Sequence, residues 1–127
     1  MERPNTPWEW HKPIFERARE LGIIAFSPPF DDSAVNLLER LEVPCYKIAS
    51  ACLTDDNLLT HHRRYGRPLI VSTGMSTLEQ IDHAVDVIGG QDLVLMHCNS
   101  TYPASIEDLN LRAIDSLRRR YDGVPIG

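Results

Sequence analysis

Apolar positions along the 127-residue chain fall into two alternating rhythms. Ile14, Phe15, Ala18 and Leu21 share one helical face, and Gly22 follows where a helix stop is expected. The run "IIAF" at 23–26 is short and continuous, which predicts a strand. "DDSAVNLLERL" at 31–41 returns to the helical period, with Asp31 or Asp32 as N-cap and Val35, Leu38 and Leu41 as the buried stripe. "CYKIA" at 45–49 predicts the next strand. "TDDNLLTHHRRYG" at 54–66 runs from a capping residue to a glycine, a short helix, and "PLIVS" at 68–72 is a third strand. Ser76 and Glu79 have capping-box spacing, and Ile81, Ala84, Val85 and Ile88 form the stripe that ends at Gly89-Gly90. "DLVLMHC" at 92–98 predicts strand four. A second box at Ser105 and Asp108 opens a helix with Leu111, Ile114 and Leu117 on its inner face, and "VPIG" at 124–127 begins a fifth strand.

Strands thus begin near residues 23, 45, 69, 93 and 124. Strictly alternating strands and helices, with strands apolar on both faces, imply a parallel sheet covered by helices. A barrel and an open doubly wound sheet both satisfy this. Neither G-x-G-x-x-G nor G-x-x-x-x-G-K occurs, which weakens nucleotide-binding versions of the open sheet. Polar residues gather just after the strands, at Ser27, Ser50, Ser72, Thr73 and Asn99 to Tyr102. In a (β/α)8 TIM barrel those positions form the mouth where active sites lie. A full barrel needs about 250 residues, so the expectation is a single partial domain over 1–127: consecutive βα units, about half of a barrel, from a longer protein.

The composition is globular, 43% hydrophobic and 24% charged. A formal charge of -5 offers no basic face for nucleic acid or an anionic membrane, so a small molecule is the expected partner. Cys45, Cys52 and Cys98 lack zinc-site or disulfide-framework spacing, which points to a reducing cytoplasm. "MERPNTPWEWHKP" lacks the apolar core of a signal peptide, and no window approaches the roughly 18 apolar residues of a membrane span. The sequon "NST" at 99–101 then reads as chance.

Lys47 is the first chemical candidate, because it interrupts an otherwise apolar strand and a buried ammonium demands an anion, water or a shifted pKa. A snorkelling lysine at a strand end is the plain alternative. Alternation puts Tyr46 and Ile48 on one side of the sheet and Lys47 on the other, with Ser50 at the rim. "VSTGMSTLEQ" at 71–80 places Ser72 and a glycine before a capped helix, a loop able to turn N–H groups toward an oxyanion, or simply a βα turn. "MHCNSTYP" at 96–103 concentrates donors at a strand exit. His97 alone is more often a satisfied core histidine than a base. Cys98 reads as a small buried apolar group, and His61-His62 and the arginines at 118–120 as solvated helix faces.

In order and spacing, "FSPPFDDSAVNLLERLEVPCYKIAS", "RPLIVSTGMSTLEQI" and "HCNSTYPASIEDLNLRAI" resemble the N-acetylneuraminate (sialic acid) synthase family, and the opening "TPWEWHKPIFERARELGIIAFS" is most similar to its pseudaminic acid synthase branch. The resemblance implies a (β/α)8 barrel followed by a small antifreeze-like domain in a domain-swapped homodimer. It implies condensation of phosphoenolpyruvate with an N-acyl amino sugar, aided by a divalent metal, Mn2+ or Mg2+, whose ligands lie outside this chain. Lys47 and Ser50 match the lysine and serine of the family's "YKI-x-S" motif, which hold phosphoenolpyruvate. Ser72 matches the serine of "STGM", Ser100 a polar ligand-binding position, and Tyr102 the tyrosine of "YP". The chain departs from the pattern at Cys52, which stands where the family has a catalytic acid, and at Pro28, which replaces a Ser or Thr. The family's "S-D-H" metal motif and an upstream lysine-bearing strand are absent from these residues. An inactive family remnant is therefore the alternative to a working synthase, and another phosphoenolpyruvate-using barrel a more distant one.

Overall fold

The computed structural model describes residues 6–89 and 92–127, so Gly90 of the expected glycine pair lies outside the described residues. The elements are α1 (Trp8–Glu20), α2 (Asp32–Arg40), β1 (Tyr46–Ile48), a 3-10 turn (Ser50–Cys52), α3 (Asp56–Arg63), β2 (Leu69–Ser72), α4 (Leu78–Ile88), β3 (Leu93–Met96) and α5 (Arg112–Arg120). The strands form a parallel sheet in the order β1-β2-β3. Tyr46, Lys47 and Ile48 face Leu69, Ile70 and Val71, and Leu69 to Ser72 face Leu93 to Met96.

This register sorts the side chains. Tyr46, Ile48, Leu69, Val71 and Leu95 share one face, each fully buried, and pack against Val35, Leu38, Leu58, Leu59, Ile81, Ala84 and Ile88 from the helices. Burying each such side chain contributes about 1.5–3 kcal/mol, which makes this layer the main source of stability. Lys47, Ile70 and Ser72 alternate onto the opposite face. The fifth strand begins as expected: Ile126 bridges Leu95 in parallel, and Gly127 donates to Leu95 O at 2.9 Å.

Five expectations are corrected. Residues 23–26 carry no strand pairing. The Ile23 N–H turns back to Ala18 O at 2.8 Å and Gly22 N–H to Arg19 O at 3.1 Å, so helix closure consumes a donor that a ladder would need. Pro28, Pro29 and Pro44, which lack N–H groups, flank the same region. The capping box of α4 is Thr77 with Gln80, one residue beyond Ser76 and Glu79. Ser105 Oγ does donate to Asp108 Oδ2 at 2.6 Å, but it closes a turn and α5 starts only at Arg112, so Leu111 is exposed and Leu117 alone of that stripe is buried. Ile14 is half exposed, leaving Phe15 as the buried residue of α1.

His62 is the fifth, and it is no solvated residue. Its ring is fully buried, Nδ1 donates to Leu58 O at 2.6 Å, and the ring stands edge-on to Tyr46 at 4.8 Å. A histidine one turn from Leu58 and Leu59 lies on the inner stripe of α3, whereas neighbouring His61 points to Asp32 and Asn36.

Candidate functional site

The polar cluster grows from the carboxyl ends of the strands, where the register brings three chain segments together. Lys47 from β1 donates from Nζ to Ile48 O at 2.8 Å and to Ser72 Oγ at the end of β2. Ser72 is only 5% exposed and also receives the Cys98 thiol at 3.2 Å from the segment after β3. Ser50, opening the 3-10 turn after β1, accepts the Gly74 N–H at 3.0 Å. That N–H is therefore already committed, and the loop does not present it to a ligand in the way its sequence suggests.

Gly74 governs the spacing of two hydroxyls. A Cβ there would sit 2.5 Å from Ser100 Oγ and 2.8 Å from Ser50 Oγ. Only a residue without a side chain allows both serines to close on this backbone. Lys47, Ser50, Ser72 and Ser100 thus gather around one loop, although their sequence separations reach 53 positions. Tyr102 does not join them: it is 92% exposed, beyond a turn in which Thr101 N–H donates to Asn99 Oδ1 at 2.7 Å.

Lys47 sets the electrostatics. Burial pushes its ammonium below the ordinary lysine value, opposed by the nearby Cys98 and Cys52 sulfurs. Among the described residues no carboxylate pairs with it; its two acceptors are neutral oxygens. An ammonium has three N–H donors, so one remains for a ligand. Burial, then the Asp55 carboxylate, push the Cys52 thiol up from its ordinary value, keeping it neutral, and Cys52 packs against the hydrophobic core. Pro28 borders a separate surface depression with Trp8, His11 and Phe30.

Sequence reasoning missed the role of Gly74 as a spacer and read Cys98 as a buried apolar group. Cys98 is half-buried and hydrogen-bonded, a pairing with Ser72 that the parallel register alone creates. A cleft of about 410 Å³ adjoins the cluster, with Thr73, His97 and Cys98 on one wall and Asn110, Arg112 and Ser116 on another. His97 is satisfied through Nε2 by Leu109 O at 2.8 Å, in keeping with the structural reading of that residue. No group of three His, Cys, Asp or Glu side chains converges among the described residues, and no described helix is long and apolar enough to cross a membrane.

Comparison with known proteins gives this geometry a lineage. The NeuB family model matches residues 1–127. The chain is 40% identical over 124 residues to a pseudaminic acid synthase of Campylobacter jejuni, covering 95% of this chain and 36% of that protein. A pseudaminic acid synthase of Helicobacter pylori is 38% identical, covering 99% of this chain and 38% of that protein. The crystal structure of an N-acetylneuraminic acid synthetase from Leptospira borgpetersenii in complex with citrate superposes with a TM-score of 0.92 at 31% identity, covering 97% of this chain and 44% of the other. The chain thus spans little more than a third of these curated relatives' length, and its fold is a run of consecutive βα units of a TIM barrel, about half of the barrel.

Proposed function

The chain belongs to the NeuB family, and on that premise we propose that it carries the phosphoenolpyruvate-binding part of a nonulosonic acid synthase, acting on an N-acyl amino sugar aldehyde of the pseudaminic type in cytoplasmic carbohydrate biosynthesis. One observation supports this above others. Lys47 is a half-buried ammonium with only neutral acceptors, facing a cluster of serine hydroxyls, which is a ready cradle for a small trianion. Lys47, Ser50, Ser72 and Ser100 supply its donors, and Tyr102, at the outer loop, is the residue left to meet the sugar.

In the reaction the enol carbon of phosphoenolpyruvate attacks the aldehyde carbon, water adds at the cation-like carbon that results, and phosphate departs. Donors held in place before the anion arrives cost no reorganisation as the charge shifts, so the cradle serves both binding and rate. A divalent ion, as the family resemblance implies, would supply polarisation of the aldehyde. The residues described here do not converge into a site for it, and no step is assigned to it in this chain. The 127 residues form one partial barrel domain, and the complete protein is a homodimer in this reading.

Cys52 favours a second reading. A neutral thiol packed on the core does not replace a carboxylate that titrates near 4.3, so the chain retains anion binding without turnover. Titration calorimetry with phosphoenolpyruvate tests the first claim: Lys47→Ala weakens binding about tenfold to a hundredfold, the worth of one charged hydrogen bond, while affinity for the amino sugar stays level. Equal phosphoenolpyruvate affinity in both proteins would sink it. Phosphate release from phosphoenolpyruvate plus the sugar separates the two readings.

A further inference from the structure

The Ser72 hydroxyl has an unusual set of neighbours. Its oxygen takes a hydrogen bond from Lys47 Nζ and another from the Cys98 thiol, at 3.2 Å. A hydroxyl oxygen has two acceptor positions and one hydrogen to give. With the thiol as donor in the contact to Cys98, both acceptor positions are filled, and no described acceptor other than the Cys98 sulfur lies within reach of the Ser72 hydrogen. Ser72 is 5% exposed, so little water is at hand to orient that hydrogen instead.

We propose that Cys98 is a positioning residue: its thiol and the Lys47 ammonium together occupy the lone pairs of Ser72 Oγ and leave the Ser72 hydrogen as an obligatory donor to the bound phosphoenolpyruvate anion. The inference rests on the functional reading above and deepens it by giving the cradle a polarity. A serine free to rotate would offer an anion its lone pairs part of the time, which repels. A serine whose lone pairs are taken offers only its proton. Cys98 does this without touching the ligand, and a thiol suits the place because it is a weak donor that carries no competing charge. The same position filled by a group unable to donate returns the Ser72 hydroxyl to free rotation.

Two measurements on the 127-residue chain decide the matter. Raman spectra of the S–H stretch, taken as the difference between each protein and its Cys98→Ser counterpart, isolate the Cys98 band. The band is expected at lower frequency with Ser72 present than in Ser72→Ala; an unchanged frequency overturns the hydrogen bond. Phosphoenolpyruvate titrations then compare the native chain with Cys98→Ala and Cys98→Ser. Cys98→Ala is expected to weaken binding by about threefold to tenfold, the loss of one neutral hydrogen bond. Cys98→Ser, which keeps a donor, restores it, and Cys98→Ala has no further effect in a Ser72→Ala background. Equal affinity of native and Cys98→Ala proteins, failure of serine to rescue, or additive losses in the double variant each overturn the proposal, leaving Cys98 as packing. A native chain that shows the band shift and yet binds no phosphoenolpyruvate overturns the functional reading while the orientation of Ser72 stands.

Discussion

His62 concentrates, in one side chain, the tension between burial and polarity that the site resolves at Lys47. Among the described residues its Nε2 is buried without a partner, which costs about 1–3 kcal/mol. Burial holds the ring below the ordinary histidine value, outweighing the opposing bond to Leu58 O. The unfolded chain therefore takes up this proton first as pH falls. Stability is undiminished well above pH 6.5 and is lost as pH drops through and below that value. Melting curves at about pH 7.5 and about pH 5 should show the native protein losing more stability on acidification than His62→Leu. Parallel losses in the two proteins would mean that His62 is not the acid-sensitive group. Lys47 escapes the same problem because its partners are hydroxyl and carbonyl oxygens and a ligand anion is expected to complete them.

Among the elements, the junctions between helix and strand carry the geometry. α2 ends like α1, with Val43 N–H bonded to Leu38 O at 3.3 Å and Glu42 N–H to Glu39 O at 3.0 Å. The residue in the left-handed position is Gly22 after α1 but Glu42, at φ 55°, after α2. A non-glycine residue there costs roughly 1–2 kcal/mol, partly offset by the smaller entropy loss of a side-chain-bearing residue. Glu42→Gly is thus expected to stabilise the chain by about 0.5–1 kcal/mol, read as a higher denaturant midpoint with unchanged slope. A lower midpoint would show that the Glu42 side chain makes a contribution larger than its backbone strain. The turn matters because it delivers the chain into Tyr46 and Lys47, and Tyr46 is anchored by its hydroxyl to Glu39 at 2.6 Å, itself gripped by Arg67 at 2.6 and 2.8 Å.

Across the whole molecule the sheet is covered on one face and open along one edge. Among the described residues β1 pairs with β2 alone, and Trp8 and Trp10 of α1 and Ile23, Ile24, Phe26 and Phe30 between α1 and α2 are exposed. Ile24 reaches 76% exposure. Unpaired strand edges and contiguous apolar surface drive association. Sedimentation velocity on the isolated chain should show a weight-average coefficient rising with concentration, reduced by Ile24→Lys. A single monomeric boundary at every concentration would refute this.

The local periodicity of the sequence determined the elements whose burial repeats at short range. The stripes of α2 and α4, the alternation that separates Lys47 from Tyr46 and Ile48, and the parallel βα order are all written in neighbouring residues. The motifs also made Lys47, Ser50, Ser72 and Ser100 legible as candidates, through family resemblance more than through chemistry. What the sequence left open turns on contacts across strands. Whether 23–26 pairs with β1 depends on donors already spent in closing α1, and His62 is buried because Tyr46 from another element covers it. The pairing of Cys98 with Ser72 and the closing of Ser50 and Ser100 around Gly74 follow from the parallel register of β1, β2 and β3. Register is a relation between distant segments, set by which apolar faces fit together, and so only the tertiary structure decided it.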